Sequence, residues 1–393
     1  MLVSPEQSHD EFAVTHLDTK CVYHRNHVFV NPHRKSISSL VPTDPAVEAF
    51  HKTLPHYAPT PLRSLPELAG ELGVAHVFVK DESARFGLPS FKILGASWAI
   101  YRTVCEKTGL PPDVSMVDAG DAAKRHSLVL ITCSCGNWGR AVARMATYLG
   151  IRAIVFVPNG VSDASRTKMS DEGAEVIAVN GSYDDSIEAA VRRGDDAGAL
   201  LVFDTSWEGF ETVPKWVVEG YCTMLSEADH QVYQSCRRTP STCVVPVGVG
   251  SVAQAVIAHY TAKDPNIHNI TVESEAAPCL LESLHHDRSI PLETGQTILP
   301  PLNCGTLSML AWPVLKDGVY ASIAVSDVEA HQNLQYLNSN GINAGPCGGA
   351  TLAAARRLHE SSLIGQGPDG VLVLFSTEGM RGYDDPLEKC SVR

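Results

Sequence analysis

Several things are scarce in this sequence, and each scarcity removes a class of protein. No apolar run approaches the roughly 18 residues that a membrane-crossing helix needs, so no membrane partner is expected. Positive charge is also short, 31 Lys and Arg against 44 Asp and Glu for a net −13, which argues against nucleic acid as the main partner. The eleven cysteines are an odd number and are scattered without the spacing of a disulfide framework. That usage predicts free thiols in a reducing compartment, hence a cytoplasmic protein. The opening stretch MLVSPEQSHDEF has neither a basic n-region nor an apolar h-region, so no secretory signal is expected. There is no internal repeat of 20–50 residues and no low-complexity tract. What is present is a 393-residue chain, 44% apolar, long enough for one large domain or two ordinary ones.

Residues 1–44 are polar and irregular. From Val77 onward, short β-rich runs alternate with amphipathic stretches. The runs are Val77–Val79, Leu128–Ile131, Ala153–Val157, Glu175–Val179, Leu201–Phe203, Cys243–Val247, Ile270–Val272 and Val371–Phe375. Between them, residues 93–106 place Leu94, Trp98, Tyr101 and Cys105 on one helical face. Segments 139–149, 184–194, 213–225, 251–262, 326–338 and 348–360 read as helices in the same way. Strands alternating with helices of this length predict an α/β fold of βαβ units with parallel-rich sheets. Eight strands crowd a single sheet of this pattern, so two α/β domains are expected. Residues 276–320, with five prolines, read as a loop-rich insertion. In such folds ligands bind beyond the carboxyl ends of strands, which directs attention to the strand-to-helix loops.

Four loops carry candidate chemistry. Gly248-Val249-Gly250-Ser251 follows a strand and opens a helix, where bare backbone N–H groups and the helix dipole favour an anion. It is neither a Walker loop nor a complete dinucleotide fingerprint, and an ordinary tight turn would look the same. Lys92 follows Pro89-Ser90-Phe91 and opens a helix, a setting that favours a neutral amine able to form a Schiff base with an aldehyde cofactor. A solvated lysine in a first helical turn is the alternative. The rival Lys80 ends a strand beside Asp81 and Glu82, where it should stay charged. In ITCSCGNWGR (131–140), Asn137 can hydrogen-bond a phenolic oxygen or a carboxylate, or cap the following helix. Cys133 and Cys135 there have neither the ligand company of a zinc site nor redox Cys-x-x-Cys spacing. Ser376-Thr377-Glu378-Gly379 puts hydroxyls at a strand end, suited to a ring nitrogen or to a turn.

Taken together, these loops resemble the pyridoxal-phosphate enzymes with the tryptophan-synthase-β fold, fold type II, and among them diaminopropionate ammonia-lyase. The matching stretches are KDESARFGLPSFKILGAS (80–97), GNWGRAVA (136–143), GSYDDSIEAA (181–190), DTSWEGFETVPKWVVEGY (204–221), VGVGSVAQAV (247–256) and STEG (376–379), in order over about 57–380. The resemblance implies pyridoxal 5'-phosphate as cofactor, an amino acid as substrate and a homodimer. It implies Lys92 as the Schiff-base lysine, with Phe91 before it, and Asn137 at the phenolic oxygen. Gly248, Val249, Gly250 and Ser251 would hold the phosphate, and Ser376 or Thr377 would meet the pyridine nitrogen. A large domain of 45–92 plus 205–393 and a smaller inserted domain of 93–204 are implied, with the cofactor between them. The chemistry implied is Cα deprotonation by Lys92 followed by loss of a β-substituent.

The chain departs from the family in three substrate-facing places. Cys135 and Trp138 stand where Asp and His are usual, and an ordinary thiol is a poorer base than that Asp at neutral pH. The family's second acid is expected at Asp184 or Asp185, which could equally cap helix 184–194. No acid occurs from Asn338 to Leu358, where a Glu is usual, and in LNCGTLS (302–308) only Cys304 and Gly305 remain of the usual run. The expectation is a lyase with altered substrate loops. β-Replacement to an unusual amino acid is the first alternative, racemisation using Lys92 and Cys135 on opposite faces the second. A non-catalytic relative is the third, and retention of Lys92 weighs against it.

Overall fold

The computed structural model describes residues 12–15, 22–25, 27–35, 37, 44–181, 183–365 and 367–386. Much of the 1–44 segment expected to be irregular, together with Ser182, lies outside the described residues. The chain divides into two compact units. One comprises residues 1–42, 59–84 and 224–393, the other 43–58 and 85–223. The sequence reading put 45–58, 85–92 and 205–223 with the larger part. They join the smaller sheet's unit, where helix Lys92–Thr108 packs against Thr212–Gly220 and helix Pro45–Thr53.

The first unit is built on a seven-stranded sheet in the order Phe29–Val30, Ala321–Val325, His268–Ser274, Thr242–Pro246, Val371–Ser376, His76–Asp81, Leu62–Ser64. The five inner strands are parallel, and the two short edge strands are antiparallel. Register aligns Val79, Leu374, Val244, Ile270 and Ala321 across the five inner strands. All five are fully buried, in a core shared with Leu334 and Leu337 of helix Asp327–Ser339 and Leu352 to Ala355 of helix Pro346–Glu360. Each Val, Leu or Ile among them contributes about 1.5–3 kcal/mol by leaving water, and each Ala less. A strand covered on both faces shows no polar alternation.

The second unit holds a four-stranded parallel sheet in the order Ala174–Val179, Arg152–Pro158, Val129–Cys133, Ala199–Leu201. Its central strand shows the period of two. Ile154 and Phe156 join one cluster with Ile131, Ala190 and Phe203, while Val155 and Val157 join another with Ala143 and Met169. Helices therefore cover both faces.

Some elements differ from the sequence expectation for identifiable reasons. The last strand of the second unit is Ala199–Leu201 rather than Leu201–Phe203, since pairing ends where Val202 N–H meets the Ile131 carbonyl at 2.9 Å. Helix 213–225 is two helices, Thr212–Gly220 and Cys222–Cys236. Strand Ala321–Val325, sequence ASIAV, gives no signal in sequence because Ala321, Ser322 and Ala324 are small and break the β-branched run that its neighbours have. The 276–320 region contains helices Cys279–His285 and Ala311–Gly318. Pro278 and Pro313 looked like breakers, yet proline is tolerated at a helix start, where its missing N–H is not needed.

Helix Cys279–His285 is tied to the sheet by Glu273, whose carboxyl accepts the N–H groups of Leu280 at 2.7 Å and Leu281 at 2.8 Å. Burial pushes this carboxyl up to about 8 against the two stabilising hydrogen bonds. The folded state therefore keeps a proton that the unfolded chain releases from its ordinary value near 4.5. Stability is expected to fall as pH rises between those two values and to level off above. Urea unfolding from pH 4.5 to 9 checks this, and Glu273→Gln should flatten the dependence.

Candidate active site

In the first unit, parallel pairing brings two of the expected loops side by side. Strands Thr242–Pro246 and Val371–Ser376 are neighbours, so residues 247–251 and 376–379 leave the same edge. Gly250 is the N-cap of helix Ser251–Lys263, with φ +94 and no side-chain cap, leaving the first helical N–H groups without an internal acceptor. A side chain at Gly248 would strike the Pro301 carbonyl 2.5 Å away. The loop is braced by the 276–320 region, where Ser308 N–H donates to the Val249 carbonyl at 2.8 Å. Ser376 and Thr377 are buried, and Ser376 Oγ finds no hydrogen-bond partner among the described residues. Such an orphaned hydroxyl calls for a ligand atom.

The two segments expected to depart from the family, 302–308 and 344–350, make structural contacts of their own. LNCGTLS is part of the brace just described. In AGPCGGA (344–350), Gly345 N–H donates to the Glu378 carbonyl at 2.9 Å, and Cys347 hydrogen-bonds the Glu378 side chain. Burial raises the Glu378 carboxyl, opposed by Arg381. An acid thus reaches this segment from the STEG loop.

In the second unit, Lys92 is the first residue of helix Lys92–Thr108 and Phe91 its N-cap. The Lys92 ammonium pairs with the Asp204 carboxylate. It also lies 5.2 Å from the Phe91 ring centre and 5.9 Å from that of Trp138. The sequence reading expected a neutral amine, and the ion pair with Asp204 is a different environment. The loop leading to Lys92 is gripped from behind, since Arg144 donates to the Phe86 carbonyl at 3.0 Å and is itself paired with Glu172.

Asn137 begins helix Asn137–Leu149, but the cap is made by Ser134, whose hydroxyl accepts the N–H groups of Gly136 at 3.0 Å and Gly139 at 2.9 Å. Asn137 is half-buried. Trp138 is buried, its indole N–H directed to Thr132 Oγ1 at 3.0 Å and the Val202 carbonyl at 3.3 Å. Cys135 is exposed, and the protein around its sulfur raises the thiol above its usual range. Cys133 is buried at the strand end.

Asp184 and Asp185 lie in helix Tyr183–Arg193; Asp185 is exposed, and the Asp184 side chain is outside the described residues. Asp204 is a carboxylate that this structure brings to Lys92, and the sequence reading gives it no role. Its signal was available, a lone acid directly after the Leu201–Phe203 run and at the head of DTSWEGFETV. Ser134 was missed because it lay between the two cysteines that drew attention. Among the described residues, no group of three or more His, Cys, Asp or Glu could hold a metal ion, and no helix is long and apolar enough to cross a membrane.

A lysine amine beside a carboxylate, an uncapped glycine-led helix start and an orphaned buried hydroxyl suit an aldehyde, a phosphate and a ring nitrogen respectively, so the residues fit pyridoxal phosphate. The family model of the pyridoxal-phosphate dependent enzymes matches residues 53–377, and the chain belongs to that family. Within it, the chain is similar to the diaminopropionate ammonia-lyase of Salmonella typhimurium, at 35% identity over 300 residues, 74% of each protein. It is 31% identical over 345 residues to that of Escherichia coli K12, covering 84% of this chain and 86% of the relative. The crystal structure of the Escherichia coli enzyme in complex with D-serine superposes with a TM-score of 0.81 at 28% identity, covering 92% of this chain and 95% of the other. The chain is an enzyme, its cofactor is pyridoxal phosphate and its kind is that of the ammonia-lyases.

The two lysines should separate cleanly. Lys80 is fully buried and donates to Glu227 at 2.8 Å, the Thr60 carbonyl at 2.8 Å and Gln231 at 3.0 Å. Lys80→Ala leaves a buried carboxylate without its cation and is expected to cost about 3–5 kcal/mol in urea unfolding. Lys92→Ala removes a partly exposed cation and should cost less than Lys80→Ala in the same assay, while abolishing the visible absorbance expected of a lysine-linked cofactor.

Proposed function

We propose that this enzyme takes the Cα proton of L-2,3-diaminopropionate and expels the β-nitrogen as ammonia. The observation that carries this reading is the Lys92 ammonium held by Asp204 against two aromatic rings, in a chain similar over most of its length to proteins of that activity. Pyridoxal phosphate, when bound, supplies a conjugated acceptor for the electron pair left at Cα. Lys92 anchors the cofactor and, once released by substrate, is the base that takes the Cα proton. Asp204 aims its Nζ. The open N–H groups at the start of helix Ser251–Lys263, with Gly248, Val249, Gly250 and the Ser251 hydroxyl, hold the phosphate. Ser376, with Thr377 beside it, would hold the ring nitrogen, and Asn137 would hold the phenolic oxygen. The Cα–H electron pair becomes the Cα=Cβ bond, and the Cβ–N pair leaves with nitrogen. Hydrolysis of the resulting enamine gives pyruvate and a second ammonia.

Cys135 bears on stereochemistry. Its thiol is raised by desolvation, so little thiolate is present at neutral pH to serve as a base opposite Lys92. That favours the L-isomer and weighs against racemisation. β-Replacement has one observation in its favour, the buried indole of Trp138, which would help keep water from the enamine. The reading keeps Asp184 or Asp185 as the second acid that the family resemblance implies. The reading includes a cytoplasmic homodimer, in keeping with the nine described cysteines being free thiols and with the family resemblance; light scattering reading a single chain would remove the dimer.

Purified enzyme given the L-isomer should release two ammonia per pyruvate, and Lys92→Ala should lower the rate by about 10²–10⁴-fold. Absence of pyruvate from the L-isomer overturns the reading. Equal turnover of the D-isomer overturns the assignment of Lys92 as the sole base, and a new amino acid formed with added nucleophiles favours replacement.

A further inference from the structure

The aromatic wall beside Lys92 has a chemical preference of its own. Trp138 cannot turn to offer its N–H, because both Thr132 Oγ1 and the Val202 carbonyl already engage it. It presents its ring face, and that face has a cation near it, the Lys92 ammonium, with the Phe91 ring and the Asp204 carboxylate completing the corner. The negative face of an indole attracts a cation and has no such attraction for a neutral hydroxyl.

We propose that Trp138 is a specificity-determining residue, forming with Phe91 and Asp204 a subsite for a side-chain ammonium on the substrate. This deepens the function proposed above and rests on Lys92 being the cofactor lysine. Once substrate has displaced it, Lys92 is a neutral amine awaiting the Cα proton, and the cation that the rings and the Asp204 carboxylate then face is the substrate's own. The substrate's α-nitrogen takes over the link that Lys92 gives up and carries no free ammonium, so the charged group available to the corner is on Cβ. The subsite also serves elimination. A β-nitrogen kept as –NH3+ leaves with the Cβ–N electron pair as neutral ammonia, while the Cα–H pair forms the Cα=Cβ bond and the Cα proton passes to Lys92. A neutral β-amine would have to leave as amide ion, a far poorer leaving group. The Trp138 face and the carboxylate both favour the charged form.

Binding can be read apart from catalysis with analogues that lack the Cα hydrogen. 2-Methyl-2,3-diaminopropionate carries the side-chain ammonium, and 2-methylserine replaces it with a hydroxyl. Each is titrated into the cofactor-loaded enzyme and followed by visible absorbance. Wild type should bind the diamine about tenfold more tightly than the hydroxy compound. Trp138→Leu, which keeps bulk without a ring face, should reduce that ratio to about twofold, while Trp138→Phe retains about half of the preference on a logarithmic scale. Equal loss of both ligands in Trp138→Leu, no preference in wild type, or binding of neither compound overturns the subsite. The expected binding pattern without pyruvate release from diaminopropionate upholds the subsite and refutes the elimination reading.

Discussion

Parallel strands all end on one edge of a sheet, and several of the residues proposed for the site lie in loops that leave such ends. In the seven-stranded sheet, the pairing of Thr242–Pro246 with Val371–Ser376 makes neighbours of loops separated by more than a hundred residues of sequence. In the four-stranded sheet, the Val129–Cys133 strand delivers Cys135 and Asn137, and its neighbour Ala199–Leu201 leads to Asp204. The apolar row Val79, Leu374, Val244, Ile270 and Ala321 holds the first register in place. A slip by one residue would turn those side chains from the core to the opposite face.

Two lysines close in sequence show how burial and partners separate structure from function. Lys80 has three acceptors and no exposure, a saturated ammonium that completes a buried network. Lys92 remains partly exposed, with the Asp204 carboxylate and two ring faces beside it. The first arrangement holds a charge in place. The second leaves an amine accessible to a carbonyl.

The replacements within ITCSCGNWGR are likewise distinguishable. Cys133 is strand-end core and Ser134 is the helix cap, so neither needs an explanation in catalysis. Trp138 is anchored through its N–H and turns a ring toward Lys92. Cys135, exposed with its thiol raised, supplies no carboxylate where relatives are expected to have one. Two segments farther along have structural work of their own. Glu378 serves AGPCGGA from outside the segment, and the 302–308 run became a brace for the anion loop.

Local chemistry made much of this legible in sequence. The β-rich runs, the glycine turn before an apolar helix and the distinctive stretches around Lys92 and Asp204 identify the fold and the cofactor class, because periodicity, turn chemistry and family motifs are properties of contiguous residues. What tertiary structure alone decided are the pairings between distant segments. Asp204 meets Lys92 across 112 residues, Glu273 captures the helix after Pro278, and strand Ala321–Val325 becomes a strand because its neighbours supply both partners and cover. Those outcomes depend on which strand ends become adjacent and which side chains lose water together. No local window contains that information.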